Sequence, residues 1–351
     1  MILRKSRNNL AIDLGSSHIK ILVLEGEGPK ARIAALGVEP LPADAIVAGE
    51  IMDYHLVVDS LKKLRDRVGQ RIRLRGRPVA TSVSGRDVIV KRIKMDRMQE
   101  GEARQVIRWE AEQHVPFDMD SVSLDFEILD PDADGLQMEV LLVAAKRDLV
   151  ETRMRLLGEA GFETAIIDID AFAVQTAFEH NYEHAAYGTF CLVNIGRETT
   201  NLSLVESGRP LLTRDIAVGE RKFVEALVEA LDATVEDAER RLQQWDTLDH
   251  GARQALDDAI DSVVTPIERA RGFLTASEGD KREIDEVVLS GGGAAIPGLQ
   301  AAIADRLNVE VTMLDPLKMV EMGPDPGDVA AGPAGRAALA VAVGLALRGR
   351  R

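Results

Sequence analysis

Two hydrophobic periods organise this chain. Short apolar runs bounded by turn residues predict strands at Leu10 to Asp13, Ile19 to Glu25 and Ile33 to Val38. Val57, Leu61, Leu64 and Val68 then recur at the spacing of one helical face. Pro78 to Ser84 is a further apolar run, so the chain opens as an α/β lobe with a helix over one face of a sheet.

A second unit follows, with its own pattern. Asp87 to Lys94 reads as a strand and Glu100 to His114 as a charged helix halted before Pro116. Val122, Leu124, Phe126 and Ile128 alternate, and the turn residues 132 to 135 lead into Met138 to Ala145, which predicts a hairpin. Asp148 with Glu151 reads as a capping-box variant opening a helix that ends at Gly161. A self-contained α+β module thus interrupts the first lobe.

Alternation then resumes with a strand at Glu163 to Asp168, a helix after Asp170 and a strand at Phe190 to Asn194. Ser207-Gly208 sits between the runs Leu202 to Glu206 and Leu211 to Ile216, a hairpin signal. Glu220 to about Ser277 is helical almost throughout, with Pro266 as its kink. Glu286 to Ser290 is a strand, Gly291 to Gly293 a turn, and Leu299, Ile303 and Leu307 share a helical face. Met322 to Gly335, rich in Pro and Gly, reads as a loop leading to a last helix at Ala337 to Leu347. No repeat of solenoid period is present.

Composition narrows the function classes. A formal net charge of −15 repels a phosphate backbone or an anionic bilayer, and the 4% of aromatic residues leaves few base-stacking platforms, so nucleic acid is not the expected partner. Cys191 stands alone in an apolar run, which excludes an intrachain disulfide and predicts a buried thiol. The run Ala337 to Leu347 is too short for a membrane helix, and the basic start lacks a signal-peptide core, so a soluble protein is expected.

The candidate chemistry lies in three glycine turns. Asp13-Leu-Gly-Ser-Ser-His-Ile-Lys20 joins a strand ending in a carboxylate to a strand returning with a lysine. Alone it reads as an ordinary hairpin tip, although its N–H groups, hydroxyls and lysine suit phosphates and its carboxylate suits Mg²⁺ held through water. Asn194-Ile-Gly-Arg-Glu-Thr-Thr200 repeats the design. Val288-Leu-Ser-Gly-Gly-Gly-Ala294 sets three glycines between a strand and a helix, where a flat ligand can approach closely.

These three turns, in this order, resemble the actin, sugar kinase and Hsp70 nucleotide-binding superfamily over nearly the whole chain. The resemblance implies an α/β, actin-like (ribonuclease H-like) two-lobed fold that closes on a nucleotide. Ala11-Ile-Asp-Leu-Gly-Ser-Ser-His-Ile-Lys20, Ile107-Arg-Trp-Glu-Ala-Glu-Gln-His-Val-Pro-Phe117 and Val343-Gly-Leu-Ala-Leu-Arg-Gly349 are similar to the PilM family of type IV pilus assembly proteins. The related FtsA carries an amphipathic membrane helix after a long linker, which this sequence, ending at Arg351, does not show.

The resemblance implies a first lobe of residues 1–86, 162–186 and 333–351. It further implies an inserted subdomain at 87–161 and a second lobe at 187–332 with a helical part at about 220–283. It implies ATP or ADP with Mg²⁺ as cofactors. Gly15, Ser16, Ser17 and Lys20 would contact phosphates from one turn, and Gly196, Arg197, Thr199 and Thr200 from the other. Gly291, Gly292, Gly293 and Ala294 would lie against the adenosine, with Gly219, Glu220 and Lys222 bordering the base. Asp13 and Asn194 would hold the metal, largely through water.

Departures from the family pattern bear on turnover. Asn194 stands where the family has an aspartate, and an amide brings no negative charge and cannot act as a base. Glu198 stands in place of a small residue and would need Arg197 to offset it. Asn201 takes the place of an actin histidine, and Gln175 either matches actin's water-positioning glutamine or is a polar helix residue. Binding without efficient turnover is therefore expected, with an active ATPase or an FtsA-like polymer as the alternatives. The implied partners are PilN, a single-span membrane protein bound through its N-terminal peptide, and other platform and motor components. A cytoplasmic protein peripheral to the inner membrane would result, its self-association left open.

Overall fold

The structure of the protein, a computed structural model, describes residues 9–26, 31–130, 135–276, 283–324, 327–328 and 332–348. Three strands open the chain as an antiparallel meander, β1 (Leu10–Leu14), β2 (His18–Glu25) and β3 (Arg32–Pro40). A minimal hairpin, β4 (Ile46–Val47) and β5 (Glu50–Ile51), precedes helix α1 (Tyr54–Gly69) and strand β6 (Pro78–Val83). Asp53 caps α1 by accepting from Leu56 N at 3.0 Å, and the buried face holds Val57, Leu61, Leu64 and Val68 as the spacing predicts.

The inserted module has β7 (Val88–Asp96), α2 (Glu100–Glu112), β8 (Val122–Ile128), β9 (Gln137–Lys146) and α3 (Arg147–Glu159). Its sheet runs β7-β9-β8, so β9 is central and its alternate residues are buried. The turn expected at 132–135 lies outside the described residues but for Gly135. The capping box expected at Asp148 does not form: the cap of α3 lies two residues earlier, at Lys146, without a side-chain hydrogen bond. A capping box closes the start of α2 instead, between Gln99 and Glu102.

The chain then returns through β10 (Glu163–Ile169) and α4 (Asp170–Asn181), and the first sheet runs β10-β6-β1-β2-β3, with β16 (Glu321–Met322) at its far edge. The second lobe repeats the opening design with β11 (Thr189–Ile195), β12 (Thr200–Glu206) and β13 (Arg209–Ile216). The expected helical stretch is three helices, α5 (Glu220–Leu231), α6 (Val235–Gln243) and α7 (His250–Ala276), with Pro266 inside α7. Asp232 ends α5 in the left-handed region and Thr234 caps α6, which is why one long helix does not form.

Strand β14 (Glu286–Ser290), helix α8 (Leu299–Leu307) and strand β15 (Glu310–Met313) finish the second sheet, ordered β13-β12-β11-β14-β15. The tail read as a loop is more ordered than expected. Strand β16 (Glu321–Met322) joins the first sheet beside β3, and α9 (Gly332–Ala337) turns at Ala338 and Leu339 into α10 (Ala340–Arg348). From Ala340 to Leu347 every residue of α10 is buried, because the helix shares a core with α4 and residues of both sheets. Such a helix is apolar all round and sits between the two sheets. Their turns therefore meet on one cleft, which Val341 reaches.

Candidate functional site

The first turn owes its shape to strand register. Asp13 pairs with Lys20 across β1 and β2, so the side chains share a face, and Lys20 Nζ lies 2.8 Å from Asp13 Oδ2. Gly15 N donates to His18 O at 3.1 Å and closes the turn, with the Ser17 hydroxyl 3.0 Å from His18 Nδ1. Burial, then the charge of Lys20, lowers the pKa of His18, so the positive charge at this turn at neutral pH comes from Lys20.

The second turn has the same register. Asn194 faces Asn201 across β11 and β12, Ser290 lies beside Asn194 on β14, and Asp215 lies beside Asn201 on β13. These four side chains form one hydrogen-bonded row across the sheet. Asn201 Nδ2 donates to Asp215 Oδ1 at 2.7 Å, Asn194 Nδ2 to Asn201 Oδ1 at 2.8 Å, and Ser290 Oγ to Asn194 Oδ1 at 3.2 Å. The carboxylate fixes the direction of the row, since it only accepts. At its far end Gly85 N, from the first lobe, donates to Asp215 Oδ2 at 2.5 Å. Burial pushes the pKa of Asp215 up to about 6 against the pull of its two donors.

The third turn and the start of α5 brace the second. Gly291 has φ +87°, and a Cβ there would collide with the backbone of Ile195. Its N–H donates to Ala337 O at 3.0 Å, which ties the turn to α9. A Cβ on Gly219 would lie 2.5 Å from Arg197 O and Gly196 O, and this close approach lets Glu220 N reach Gly196 O and Arg221 N reach Arg197 O, both at 2.9 Å. Glu198 is offset by Arg221 at 3.3 Å and not by Arg197, whose guanidinium turns to Glu239 at 3.1 Å. Arg221 also pairs with Asp44 of the first lobe at 2.8 Å, so one guanidinium bridges the cleft mouth.

A cleft of about 270 Å³ is the result. The first turn lines it with Asp13, Gly15, Ser16, Ser17 and Lys20, the second with Asn194, Gly196, Arg197 and Thr199, and Glu220, Gly291 and Gly292 complete the far wall. Larger cavities lie beside the inserted sheet, but none gathers these groups. Burial raises the pKa of Glu220, and Arg197 opposes the shift.

Several sequence candidates lie off the cleft. Thr200 is buried and spends its hydroxyl on Val218 O at 2.7 Å, because alternation along β12 turns it inward when Thr199 turns outward. Lys222 is exposed outside the lining, Gly219 buttresses the turn from behind, and Gly293 and Ala294 are buried beneath it. Gln175 faces another cavity, donating to Glu179 Oε1 at 2.6 Å and Gly208 O at 2.8 Å. The cleft residue of α4 is Asp170 at its start, five residues earlier.

Asp170 is the main group missed from sequence. It lines the cleft, accepts from Ser82 Oγ at 2.5 Å, and burial followed by the neighbouring charge of Asp13 raises its pKa. Its signal was an aspartate at a strand-to-helix switch that mirrors the turns. Among the described residues no group of three His, Cys, Asp or Glu could hold a metal ion by itself. One carboxylate, one amide oxygen and room for anionic oxygens do fit Mg²⁺, which keeps several waters when bound beside phosphates.

Comparison with known proteins gives consistent findings. A family model described as type IV pilus assembly protein PilM matches residues 11–350. A PilM-PilN type IV pilus biogenesis complex contains a chain of the same fold, with TM-score 0.86 and 25% identity over 99% of both chains. MreB 5 of Spiroplasma citri bound to AMPPNP matches with TM-score 0.53 and 13% identity over 95% of this chain and 93% of that one. The cell division protein FtsA of Bacillus subtilis (strain 168) is 24% identical over 88% of this chain and 78% of its own length. The fold is that of actin-like ATPases.

Proposed function

Because this chain belongs to the PilM family of type IV pilus assembly proteins, we propose that it is a nucleotide-binding scaffold of the pilus platform at the inner membrane. ATP with Mg²⁺ would occupy the cleft, and the N-terminal cytoplasmic peptide of a PilN-like membrane protein would dock beside the inserted module. No helix of the described residues is long and apolar enough to cross a membrane, so in this reading such a partner supplies the anchor.

The carrying observation is the polar row behind the second turn. Asn194 has both amide hydrogen-bonding ends engaged, by Asn201 and Ser290, and holds no charge with which to activate water. Lys20, the glycine-turn N–H groups and the hydroxyls of Ser16, Ser17 and Thr199 remain to bind and orient phosphates. Asp13 and the Asn194 oxygen would hold Mg²⁺, whose contribution is to neutralise phosphate charge. The site then reports which nucleotide is bound and sets how far the lobes close.

Support for the partner comes from the PilM-PilN complex and from the space beside the inserted sheet. A groove of about 550 Å³ runs between β7 and β13, with Val88, Val90 and Leu212 among its apolar residues. Both claims are tested with the purified chain. Saturating ATP and Mg²⁺ at a hundred times Kd should stabilise it by about 2.7 kcal/mol with little phosphate release. A PilN N-terminal peptide should be retained on the chain, and the absence of retention with and without nucleotide would remove the docking claim. Asp170 favours slow hydrolysis as a second reading, since a cleft carboxylate of raised pKa can take a proton from water. Phosphate release abolished by Asp170→Asn would establish it.

A further inference from the structure

Between Asp59 and Pro78 the chain carries eight Lys and Arg against a single acid, Asp66, a net of +7 in a protein whose net charge is −15. The stretch runs from the second half of α1 through the connection to β6. Its fold turns the cations outward. Leu74 is buried in the core under α1 and Ile72 packs against that core, while Arg71, Arg73 and Arg75, which alternate with them, are exposed. Ile72 N donates to Val68 O at 3.2 Å and Arg77 N to Leu74 O at 3.1 Å, so the connection is held to the end of the helix.

Three of the eight are spent within the fold. Arg65 donates to Ala160 O at 2.7 Å, Arg67 pairs with Glu39 at 2.9 Å, and Arg77 donates to Asn9 Oδ1 at 3.0 Å. Lys62, Lys63, Arg73 and Arg75 have no ion pair among the described residues. The dipole of α1 accounts for a cation in its last turn, Arg67, and not for Arg73 and Arg75 beyond it. A solvated charged face mixes its signs, whereas here one sign is massed and repels itself. Arg77 adjoins β6, whose Val79 pairs with Leu10 at the start of β1, and Asp13 toward the other end of β1 lines the cleft. The patch therefore lies at the foot of the first sheet, away from the cleft.

We propose that this patch is a contact surface for anionic lipid headgroups, so that the chain touches the bilayer directly as well as through a membrane-spanning partner. The stretch holds no aromatic ring on which a base could stack, which disfavours nucleic acid. A plane of phosphate-bearing headgroups, by contrast, meets several exposed guanidinium groups at once, each with charge-assisted hydrogen bonds. The overall negative charge does not forbid this. Within a Debye length of about 8 Å the local patch prevails over distant acids, and their repulsion restricts the contact to this one face. Each cation held near an anionic surface raises the partition coefficient roughly fivefold. Such a contact is reversible by itself, and it strengthens a partner's anchor because two tethers to one surface reinforce each other.

Co-sedimentation of the full chain, without peptide or nucleotide, tests this with vesicles of phosphatidylglycerol and phosphatidylethanolamine and with vesicles of phosphatidylcholine alone. Wild type should pellet with the first and not with the second, and about 1 M salt, where the Debye length falls to about 3 Å, should release it. Lys63→Gln, Arg73→Gln and Arg75→Gln together remove three exposed cations without an ion pair, and should weaken vesicle binding roughly tenfold or more. Lys94→Gln, Arg241→Gln and Arg269→Gln together remove the same charge from exposed positions elsewhere and should stay within about twofold of wild type. Equal binding to both kinds of vesicle, a patch variant that binds as wild type does, or a control variant that falls as far overturns the proposal. So does patch-dependent binding of a single-stranded oligonucleotide by a chain that ignores vesicles, which makes nucleic acid the partner. The wild-type comparison of lipids and salt carries the test where the patch variant does not fold. Failure to retain the PilN peptide removes the docking claim and leaves this contact standing, whereas failure on the anionic vesicles removes this contact alone.

Discussion

Replacing Asn194 by aspartate restores the residue type that the family pattern has at this turn, and the structure predicts that the fold will resist it. Asn194 is 8% exposed and donates at 2.8 Å to Asn201 Oδ1. An aspartate has no N–H, so two acceptors would face each other. Losing the bond costs about 1 kcal/mol, and a buried acceptor left against an acceptor costs about 1–3 more, for about 2–4 kcal/mol in all. Flipping Asn201 gives no relief, because its oxygen would then face Asp215 Oδ1, now 2.7 Å from its Nδ2.

Protonation of the new carboxyl does relieve the mismatch, since a neutral acid can donate. Its folded-state pKa therefore lies above the unfolded value of about 3.9. The stability held by that proton is fully present below the unfolded pKa and is lost as pH rises through the folded one. Urea unfolding followed by circular dichroism, at about pH 5 and about pH 8, should show Asn194→Asp much less stable than wild type at the higher pH and closer to it at the lower. Asn194→Ala, which leaves Asn201 Oδ1 unpaired but adds no charge, should cost about 1–3 kcal/mol at both. The reasoning is refuted if Asn194→Asp matches wild type at pH 8, or if it and Asn194→Ala fall equally at both values.

Other outcomes follow from the same geometry. In wild type the proton on Asp215, with its pKa pushed up to about 6, contributes stability below pH 4 that is lost as pH rises through 6. This amounts to about 3 kcal/mol at most, and Asp215→Asn should flatten that stretch of the unfolding profile. Gly219→Ala places a Cβ 2.5 Å from Arg197 O and should cost about 1–3 kcal/mol in a thermal melt while loosening α5 from the second turn. Lys20→Met leaves Asp13 without its 2.8 Å partner, and a loss of about 2–3 kcal/mol should appear in urea unfolding together with weaker ATP binding in calorimetry. Gln175→Ala should leave ATP affinity unchanged, because its amide is committed to Glu179 and Gly208.

The sequence by itself determined most strands, because short apolar runs punctuated by glycine and polar turns have few other solutions, although the short β4, β5, β15 and β16 escaped it. Cys191 is buried as its apolar run requires, with its pKa pushed up to about 12 by that burial. It also exposed the three glycine turns, whose residue types suit phosphates. Which residue of each turn faces the cleft was decided by register. Asp13 opposite Lys20, and Asn194 opposite Asn201, follow from pairing across strands, and the same pairing sends Thr200 inward and brings Ser290 and Asp215 into line. Asp170 carries only the signal of an aspartate at a strand-to-helix switch, and Asp215 carries no local signature, so packing had to reveal their place in the cleft. Local pattern sets the elements, because periodicity acts over a few residues. The charges that meet in a cleft are set by long-range pairing, and burial turns their neighbourhood into the shifts and ion pairs that give the site its character.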